Sequence, residues 1–214
     1  MEKSLCSECA TGKLSCVDCC TDPFIGKDPG FWLTLSDISR IVKKTNLEPE
    51  EFCRLTEVDQ DGEDNGDVDE VHGELLYIKD KVILMNAKNK KCFFLGEHGC
   101  EIFNDRPMGC RIFPFEFKKE DNDAKITIKH EDTLEEDECL ITKTNYNNNN
   151  IPFLLKFIGE TEESMKKTIK QYLEEMNVHN KLKNQVEKIP ILQVLNKNKL
   201  LTKPIISPQN QHKP

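Results

Sequence analysis

The chain contains no long hydrophobic run. It has no stretch of about 18 uninterrupted apolar residues, which excludes an ordinary membrane-spanning helix, and its first ten residues are polar, without the apolar centre of a secretory signal. A glycine-rich phosphate loop, a GxSxG motif and an HExxH motif are also missing. These absences predict a cytoplasmic protein with no membrane partner and without three common catalytic signatures.

Positive charge is also scarce over most of the chain. The net charge is -8, and residues 151–214 hold eleven lysines against six glutamates, so this tail carries +5 while residues 1–150 carry -13. A strongly acidic main part argues against nucleic acid as a partner. The tail lysines are spread out and no aromatic residues interleave with them, which favours a solvated helical face over a base-stacking surface.

Cysteine, by contrast, is abundant. The chain has ten cysteines in 214 residues, a length that can bury an ordinary core without disulfides. In a reducing compartment a dense cysteine pattern is more often metal-binding or catalytic than a disulfide framework. Seven of the ten fall in or just after three short stretches: Cys16, Cys19, Cys20, Cys92, Cys100, Cys110 and Cys139.

The spacing of these cysteines suits metal binding. Cys16 and Cys19 form a C-x2-C pair, which lets one tight turn supply two donors. Cys92 and Cys100 flank a segment with two glycines, so a loop could fold back and turn both thiolates toward one centre. Cys110 lies between two prolines, where a stiff backbone suits a ligand of fixed geometry.

The Cys19-Cys20 doublet indicates more than one simple ion. Neighbouring side chains of an extended chain point to opposite faces, so one tetrahedral ion would not easily take both thiolates. Two metal centres, or a multi-iron cluster with a second site, would accommodate the doublet. His98, beside Cys100, is either a mixed donor or, more simply, a polar loop residue.

The first half of the chain predicts two short helices. Ser36 can cap a helix whose buried stripe is Ile38, Ile41 and Val42. A second helix should begin at residues 48–51, where a proline and glutamates suit a first turn. We expect Phe52 and Leu55 on its inner face and Cys53 as a small buried or half-buried thiol that matches no ligand spacing.

Short strands should follow these helices. Residues 74–79 and 81–86 predict a β-hairpin, residues 92–95 a third strand and residues 124–130 a fourth. Strands that come after helices favour an α+β class over repeated βαβ units. The fold expected is a small cysteine-rich α+β metal-binding domain with a helical C-terminal extension.

An acidic segment, residues 57–70, separates the helices from the strands and contains eight acids and no base. In an EF-hand frame that starts at Asp61, several ligand positions match, but position 12 is His72 instead of a bidentate glutamate. The segment is therefore predicted to be a mobile acidic loop rather than a calcium site.

An asparagine-rich stretch, residues 145–150, predicts a boundary between a metal-binding domain over residues 1–143 and a helical extension over residues 144–214. A chain that ends near Tyr146 should then keep its metal, although it could lose solubility. The extension should contain a second helical piece near residues 189–201 and a frayed end from Ser207. Its first helix has an apolar stripe expected to pack on the parent domain: Met165, Ile169, Leu173 and Met176.

The order of the motifs resembles the YkgJ-type cysteine-cluster family. The resemblance covers residues 16–139: the C-x2-C-C group, then CFFL with Cys100 and EIF, then RPxxCRxxPF with a further cysteine. It implies chelation of zinc or iron by Cys16, Cys19, Cys20, Cys92, Cys100, Cys110 and Cys139. Lys13 stands where the family has its first cysteine, so Cys6 or Cys9 is the candidate replacement.

These observations together favour an iron-sulfur protein, with a [4Fe–4S] cluster expected and zinc as the alternative. A redox or metal-handling role follows most directly from such a centre. Two other functions remain open: a lysine N-methylase, because one branch of the family has that activity, and a zinc-stapled interaction module. Arg106 and Arg111 could donate to cluster sulfides, bind an anionic substrate or pair with carboxylates.

Overall fold

The computed structural model describes residues 31–57, 76–88, 91–97, 99–113, 115–120, 123–128, 151–157 and 160–201. These residues form helices and short antiparallel strand pairs, so the α+β class is confirmed. Several sequence predictions lie outside the described residues: those on the acidic loop beyond Glu57, His98, the asparagine-rich stretch, the frayed end, and Cys6, Cys9, Cys16, Cys19, Cys20 and Cys139.

Helix α1 spans Leu35–Thr45 and begins two residues earlier than predicted. Its N-cap is Thr34 rather than Ser36, because the Thr34 hydroxyl accepts the Asp37 N–H at 3.0 Å and the Asp37 carboxylate accepts the Thr34 N–H at 3.0 Å. This reciprocal pair is a capping box. The predicted apolar stripe is confirmed as fully buried: Ile38, Ile41 and Val42.

The second helix is shorter than predicted. Helix α2 spans Pro49–Phe52, and strand β1 begins at once, over Cys53–Glu57. Leu55 therefore lies in a strand, opposite Ile83 of strand β2, Lys81–Met85. Pairing across the sheet outweighs the local helical pattern here, since it satisfies backbone groups along both strands.

The predicted hairpin of residues 74–79 with 81–86 is wrong in its main pairing. Ile78 forms a bridge with Lys81 across the turn, but β2 pairs antiparallel with β1 along its length. On the other side of β2, the Leu33 N–H donates to the Ile83 carbonyl at 2.9 Å. Strand β2 is thus held from both sides by residues that are distant in sequence.

The predicted third strand, residues 92–95, is divided by a turn. Strands β3 and β4, Ala87–Lys88 and Lys91–Cys92, form one pair, and β5 and β6, Leu95–Gly96 and Gly99–Cys100, form another. The turn places the Phe94 ring in the core, 5.5 Å from the Phe52 ring centroid. Burial of this large aromatic side chain explains the break.

The cysteine-bearing region continues into a short 3-10 helix, Phe103–Asp105, and helix α3, Met108–Ile112. A hairpin of β7, Phe115–Glu120, and β8, Asp123–Ile128, follows, which confirms the predicted fourth strand with slightly different bounds.

The C-terminal part is helical, as predicted. It contains α4, Ile151–Phe157, then α5, Glu162–Leu182, a 3-10 turn, Lys183–Gln185, and α6, Ile191–Lys197. Met165, Ile169 and Met176 of α5 are buried, so this stripe packs on the rest of the protein as expected. Among the described residues, no helix combines the length and apolar character needed to cross a bilayer.

Among the residues that the structure describes, the buried core contains two apolar clusters, and each draws on both sides of the predicted boundary. The first joins α1, α2 and β2 to α6, and the second joins the end of α3 and the β7–β8 hairpin to α4 and α5. The C-terminal members of these clusters are Leu155, Met165, Ile169, Ile191, Leu192, Val194, Leu195 and Leu201.

Candidate metal centre

Three of the predicted ligands lie within the described residues. Cys92 ends β4, Cys100 ends β6 and Cys110 is the middle residue of α3. Each is half-buried, and Cys92 and Cys100 pack against the first apolar cluster. The structure does not bring three metal-ligating side chains together among the described residues alone. The other six predicted ligands lie outside these residues, so the full set is not tested.

Cys53 differs from these three. It is 3% exposed, and its thiol donates to the Pro49 carbonyl at 3.1 Å. Burial, with a smaller contribution from Glu50, raises the pKa of the Cys53 thiol far above its ordinary value. The low exposure of Cys53 confirms the predicted burial. A buried, protonated thiol of this kind is inert, which suits a structural role.

The segment between Cys92 and Cys100 folds back as the two glycines predict. Leu95 pairs with Cys100 and Gly96 with Gly99, and the Glu101 N–H donates to the Phe94 carbonyl at 2.9 Å. Gly99 has φ 108°, a backbone conformation that residues other than glycine rarely adopt. The backbone in front of Cys100 is therefore a tight, hydrogen-bonded turn.

Phe31 lies between the surroundings of Cys92 and those of Cys110. Its carbonyl accepts the Met85 N–H at 2.9 Å, and the Met85 sulfur lies 3.4 Å from the Cys92 sulfur. Its ring packs on Gly109, where an added Cβ would come within 2.6 Å of the ring. One residue thus contacts a neighbour of each cysteine.

The turn that carries Cys110 is held by two arginines. The Arg106 Nε donates to the Phe103 carbonyl at 2.9 Å, and its guanidinium stacks 3.9 Å above the Phe103 ring. Arg111 donates to the carbonyls of Arg106, at 3.3 Å, and Asn104. These contacts with backbone carbonyls stiffen the turn and were not among the predicted roles of the two arginines.

A buried charged network of Asp37, Arg40 and Glu175 contacts the start of α3. The Asp37 carboxylate is fully buried and accepts the Met108 N–H at 2.9 Å and the Thr34 hydroxyl at 2.9 Å. Arg40 binds Asp37 and also donates to Glu175 of α5 at 2.7 Å. Burial raises the pKa of Asp37, and the attraction of Arg40 offsets only part of that rise.

Tyr172 of α5 faces the same network. Its ring makes an edge contact with Phe117, with centroids 6.2 Å apart. Burial raises the pKa of the Tyr172 phenol well above its ordinary value, and the nearby groups of Asp37, Cys110 and Glu175 add to the rise. The phenol therefore stays protonated, near enough to Cys110 and the two carboxylates for their charges to act on it.

Sequence reasoning missed this network. The Thr34-x-x-Asp37 spacing is a capping-box signal and could have identified Asp37 as part of a helix start. It could not have shown that the carboxylate also binds Met108, which lies 71 residues away. Glu175 carried no signal beyond that of an ordinary charged position on an amphipathic helix.

The donor chemistry fits the group that the cysteines imply, since thiolates bind zinc and iron-sulfur clusters and the three described candidates are half-buried, Cys92 and Cys100 against an apolar cluster. No curated protein and no solved structure matches the chain. The family model CxxCxxCC, described as "Putative zinc- or iron-chelating domain", matches residues 6–139. This match covers well over half of the 214 residues and includes every candidate ligand. The chain therefore belongs to the CxxCxxCC family.

Proposed function

We propose that this protein binds an iron-sulfur cluster of the [4Fe–4S] type and serves a redox or metal-handling role in the cytoplasm. Membership of a family of zinc- or iron-chelating domains supports metal binding in general. The number of thiols argues against a single zinc ion, because nine candidate cysteines exceed its four donors and suit two four-ligand sites, or one four-thiolate cluster with further structural thiols.

The observation that carries the proposal is the position of Phe31. Its backbone and ring contact Met85 and Gly109, which are neighbours of Cys92 and Cys110. Cys20 lies eleven residues before Phe31 in the sequence. A segment of eleven residues can span up to roughly 38 Å, so it is long enough for the N-terminal thiols to join Cys92, Cys100 and Cys110 at one centre.

The proposed ligands come from separate parts of the chain. Cys92, Cys100 and Cys110 are the described candidates. The N-terminal group and one later cysteine complete the set, with Cys6 or Cys9 in place of the family cysteine missing at Lys13: Cys16, Cys19, Cys20 and Cys139. A set gathered from distant segments couples metal binding to folding, because the bound metal holds those segments together.

The surrounding residues suit a protected centre. A bound cluster would supply one-electron redox chemistry, with a potential that depends on burial and on hydrogen bonds to sulfur. Met85 and Phe94 are buried beside the Cys92 strand and exclude water from that side. The two arginines hold the Cys110 turn through backbone carbonyls, which keeps that ligand in place.

Zinc is the second candidate, because the family description includes both metals and thiolates alone suit both. A zinc centre would make the protein an interaction module whose fold is held together by the metal. The zinc would contribute folding free energy and no redox chemistry.

The deciding experiment is metal analysis of the full-length chain purified without oxygen. Iron, zinc and acid-labile sulfide would be measured per chain, with visible absorption before and after dithionite. Iron with sulfide and a band that bleaches on reduction would support the cluster, and zinc without colour would support the second candidate. Absence of both metals, in this preparation and after reconstitution, would overturn metal binding.

Two substitutions and one activity assay sharpen this test. Cys110→Ser should lower metal content, whereas Cys53→Ser, a matched change at a buried structural thiol, should not. Turnover of a methyl donor by the metal-loaded chain would instead favour a lysine N-methylase.

A further inference from the structure

The helix that carries Cys110 cannot hold its own geometry. Helix α3 has five residues, and Pro107 at its N-cap provides no side-chain hydrogen bond. Isolated helices of this length are unstable in water, so the direction of the Cys110 side chain depends on contacts from elsewhere in the fold.

Asp37 supplies one of these contacts. Its Oδ1 accepts the Met108 N–H at 2.9 Å, at the first residue of α3 and two residues before Cys110. Its Oδ2 accepts both the N–H and the hydroxyl of Thr34. One carboxylate therefore fixes the start of α1 and the start of α3 relative to each other.

Arg40 and Glu175 hold this carboxylate in place. Arg40 bridges the two acids, with its Nη1 2.7 Å from Glu175 Oε1, and Gln171 donates to the same oxygen at 2.8 Å. The side chains of Asp37 and Glu175 are 1% and 11% exposed, and that of Arg40 is 20% exposed. Solvent therefore screens the two ion pairs that Arg40 forms with these acids only weakly. Buried charges of this kind cost several kcal/mol when one partner is lost.

The network also crosses the limit of the family match. Gln171 and Glu175 belong to α5, and the family model ends at residue 139. Helix α5 contacts both α1 and α3. A helix outside the matched residues thus supports the α3 start through one arginine and one carboxylate.

We propose that Asp37 is a positioning residue for the Cys110 ligand, and that Arg40 and Glu175 of α5 complete this support. The inference rests on the proposed function, since it concerns the geometry of a metal ligand. Residues that orient metal ligands typically change metal affinity about 10–100-fold when replaced.

The test compares Asp37→Ala with Thr34→Val in the full-length, metal-loaded chain. Both changes break the capping box, but only Asp37→Ala removes the acceptor of the Met108 N–H, which an asparagine oxygen could still provide. Two rates are measured: release of iron or zinc to a chelator, and alkylation of each cysteine by iodoacetamide, resolved by peptide mass spectrometry. Cys53 serves as the internal control, because it reacts only if the core opens.

Asp37→Ala should release metal and expose Cys110 to alkylation roughly tenfold faster than Thr34→Val, with Cys53 unreacted in both. Glu175→Gln should change the same two rates in the same direction by less, and it provides the answer if Asp37→Ala does not fold. Equal rates for Thr34→Val and the network variants, or parallel reaction of Cys53 and Cys110, would overturn the inference.

Failure of the proposed function gives a different result. If wild-type Cys110 reacts equally fast with and without metal, it is not a ligand, whatever the network does. If metal protects wild-type Cys110 but the Asp37 and Glu175 variants retain that protection, the ligand assignment stands and only the positioning role is wrong.

Discussion

His179 caps the helix that starts 144 residues earlier: its Nδ1 accepts the N–H of Leu35, the first residue of α1, at 3.1 Å. The Nε2 of the same ring lies 3.3 Å from the Leu76 carbonyl, so the neutral Nε2–H tautomer satisfies both backbone groups. The side chain is fully buried. Helix α5 is thereby joined to α1 by a second polar contact besides the Arg40–Glu175 pair.

This contact predicts acid sensitivity. Burial is the main cause that lowers the pKa of His179 from 6.5 to about 4, with Lys183 adding and the Leu76 carbonyl opposing. Above pH 6.5 the ring is neutral in both states, and between pH 6.5 and 4 only the unfolded state gains a proton. As the pH is lowered through this window, the free energy of unfolding should therefore decrease by about 1.4 kcal/mol per pH unit because of this group.

The measurement is urea unfolding of wild type and His179→Asn at pH 7 and pH 5. The variant keeps an acceptor for Leu35 but loses the Leu76 contact, so it should be about 1–3 kcal/mol less stable at pH 7. Between pH 7 and pH 5 it should lose about 2 kcal/mol less than wild type. An identical pH dependence in both proteins would show that His179 does not titrate as described.

Gly109 should be sensitive to a single added methyl group. In Gly109→Ala the new Cβ would meet the Phe31 ring at 2.6 Å and displace the residue that links the surroundings of Cys92 and Cys110. We expect lower metal content and a loss of about 1–3 kcal/mol. Gly96→Ala is the control, because its Cβ would meet only the flexible Glu101 side chain. Similar metal content in the two variants would contradict the importance of the Phe31 contact.

The cysteines should be unequal when each is replaced by serine. Loss of a ligand removes both metal affinity and folding free energy, whereas Cys53→Ser keeps a hydroxyl near the Pro49 carbonyl and should cost about 1 kcal/mol with full metal content. Metal per chain and melting temperature are the measurements. We expect metal loss for Cys19, Cys20, Cys92, Cys100 and Cys110, followed closely by Cys16 and Cys139.

Cys6 and Cys9 decide how the family pattern is completed. Metal loss in Cys6→Ser or Cys9→Ser would mean that this segment supplies the ligand missing at Lys13, and unchanged metal would mean that the site closes without it. If Cys53→Ser lost metal while Cys110→Ser did not, the proposed ligand set would be wrong.

Calcium should not stabilise the protein. The EF-hand frame that starts at Asp61 in the acidic segment has His72 at position 12, where a bidentate glutamate is needed, so binding should be too weak to raise the melting temperature. Thermal melts with millimolar calcium and with magnesium as the control test this. A calcium-specific rise that disappears in Asp61→Ala would contradict it.

Removal of the C-terminal part should do more than reduce solubility. The division at residue 143 stays a prediction, but the core contains residues from both sides of it, and α5 carries His179 and Glu175. Each large apolar side chain that loses its cover costs about 1.5–3 kcal/mol, against a typical stability of 5–15 kcal/mol. A chain that ends near Tyr146 should therefore fail to fold cooperatively. A cooperative melt with full metal content would instead support two independent parts.

Local patterns in the sequence predicted much of the fold. The stripe of α1 at Ile38, Ile41 and Val42, the buried thiol of Cys53 and the stripe of α5 all follow from periodicity and residue type, because burial of an amphipathic face requires that spacing. The family was also predicted, because it depends on cysteine order and not on packing, while the ligand set stays a prediction.

Only the tertiary structure decided the contacts between distant segments. The helical pattern that reached Leu55 gave way to pairing of β1 with β2, because a strand partner satisfied more backbone groups than a longer helix would. Asp37 was one charged residue near a helix start in the sequence, and in the structure its carboxylate binds Met108 beside Cys110. The sequence by itself determined the family and the order of its cysteines, and the packing of α1, α3 and α5 determined how Cys110 is held, since a five-residue helix takes its orientation from its neighbours.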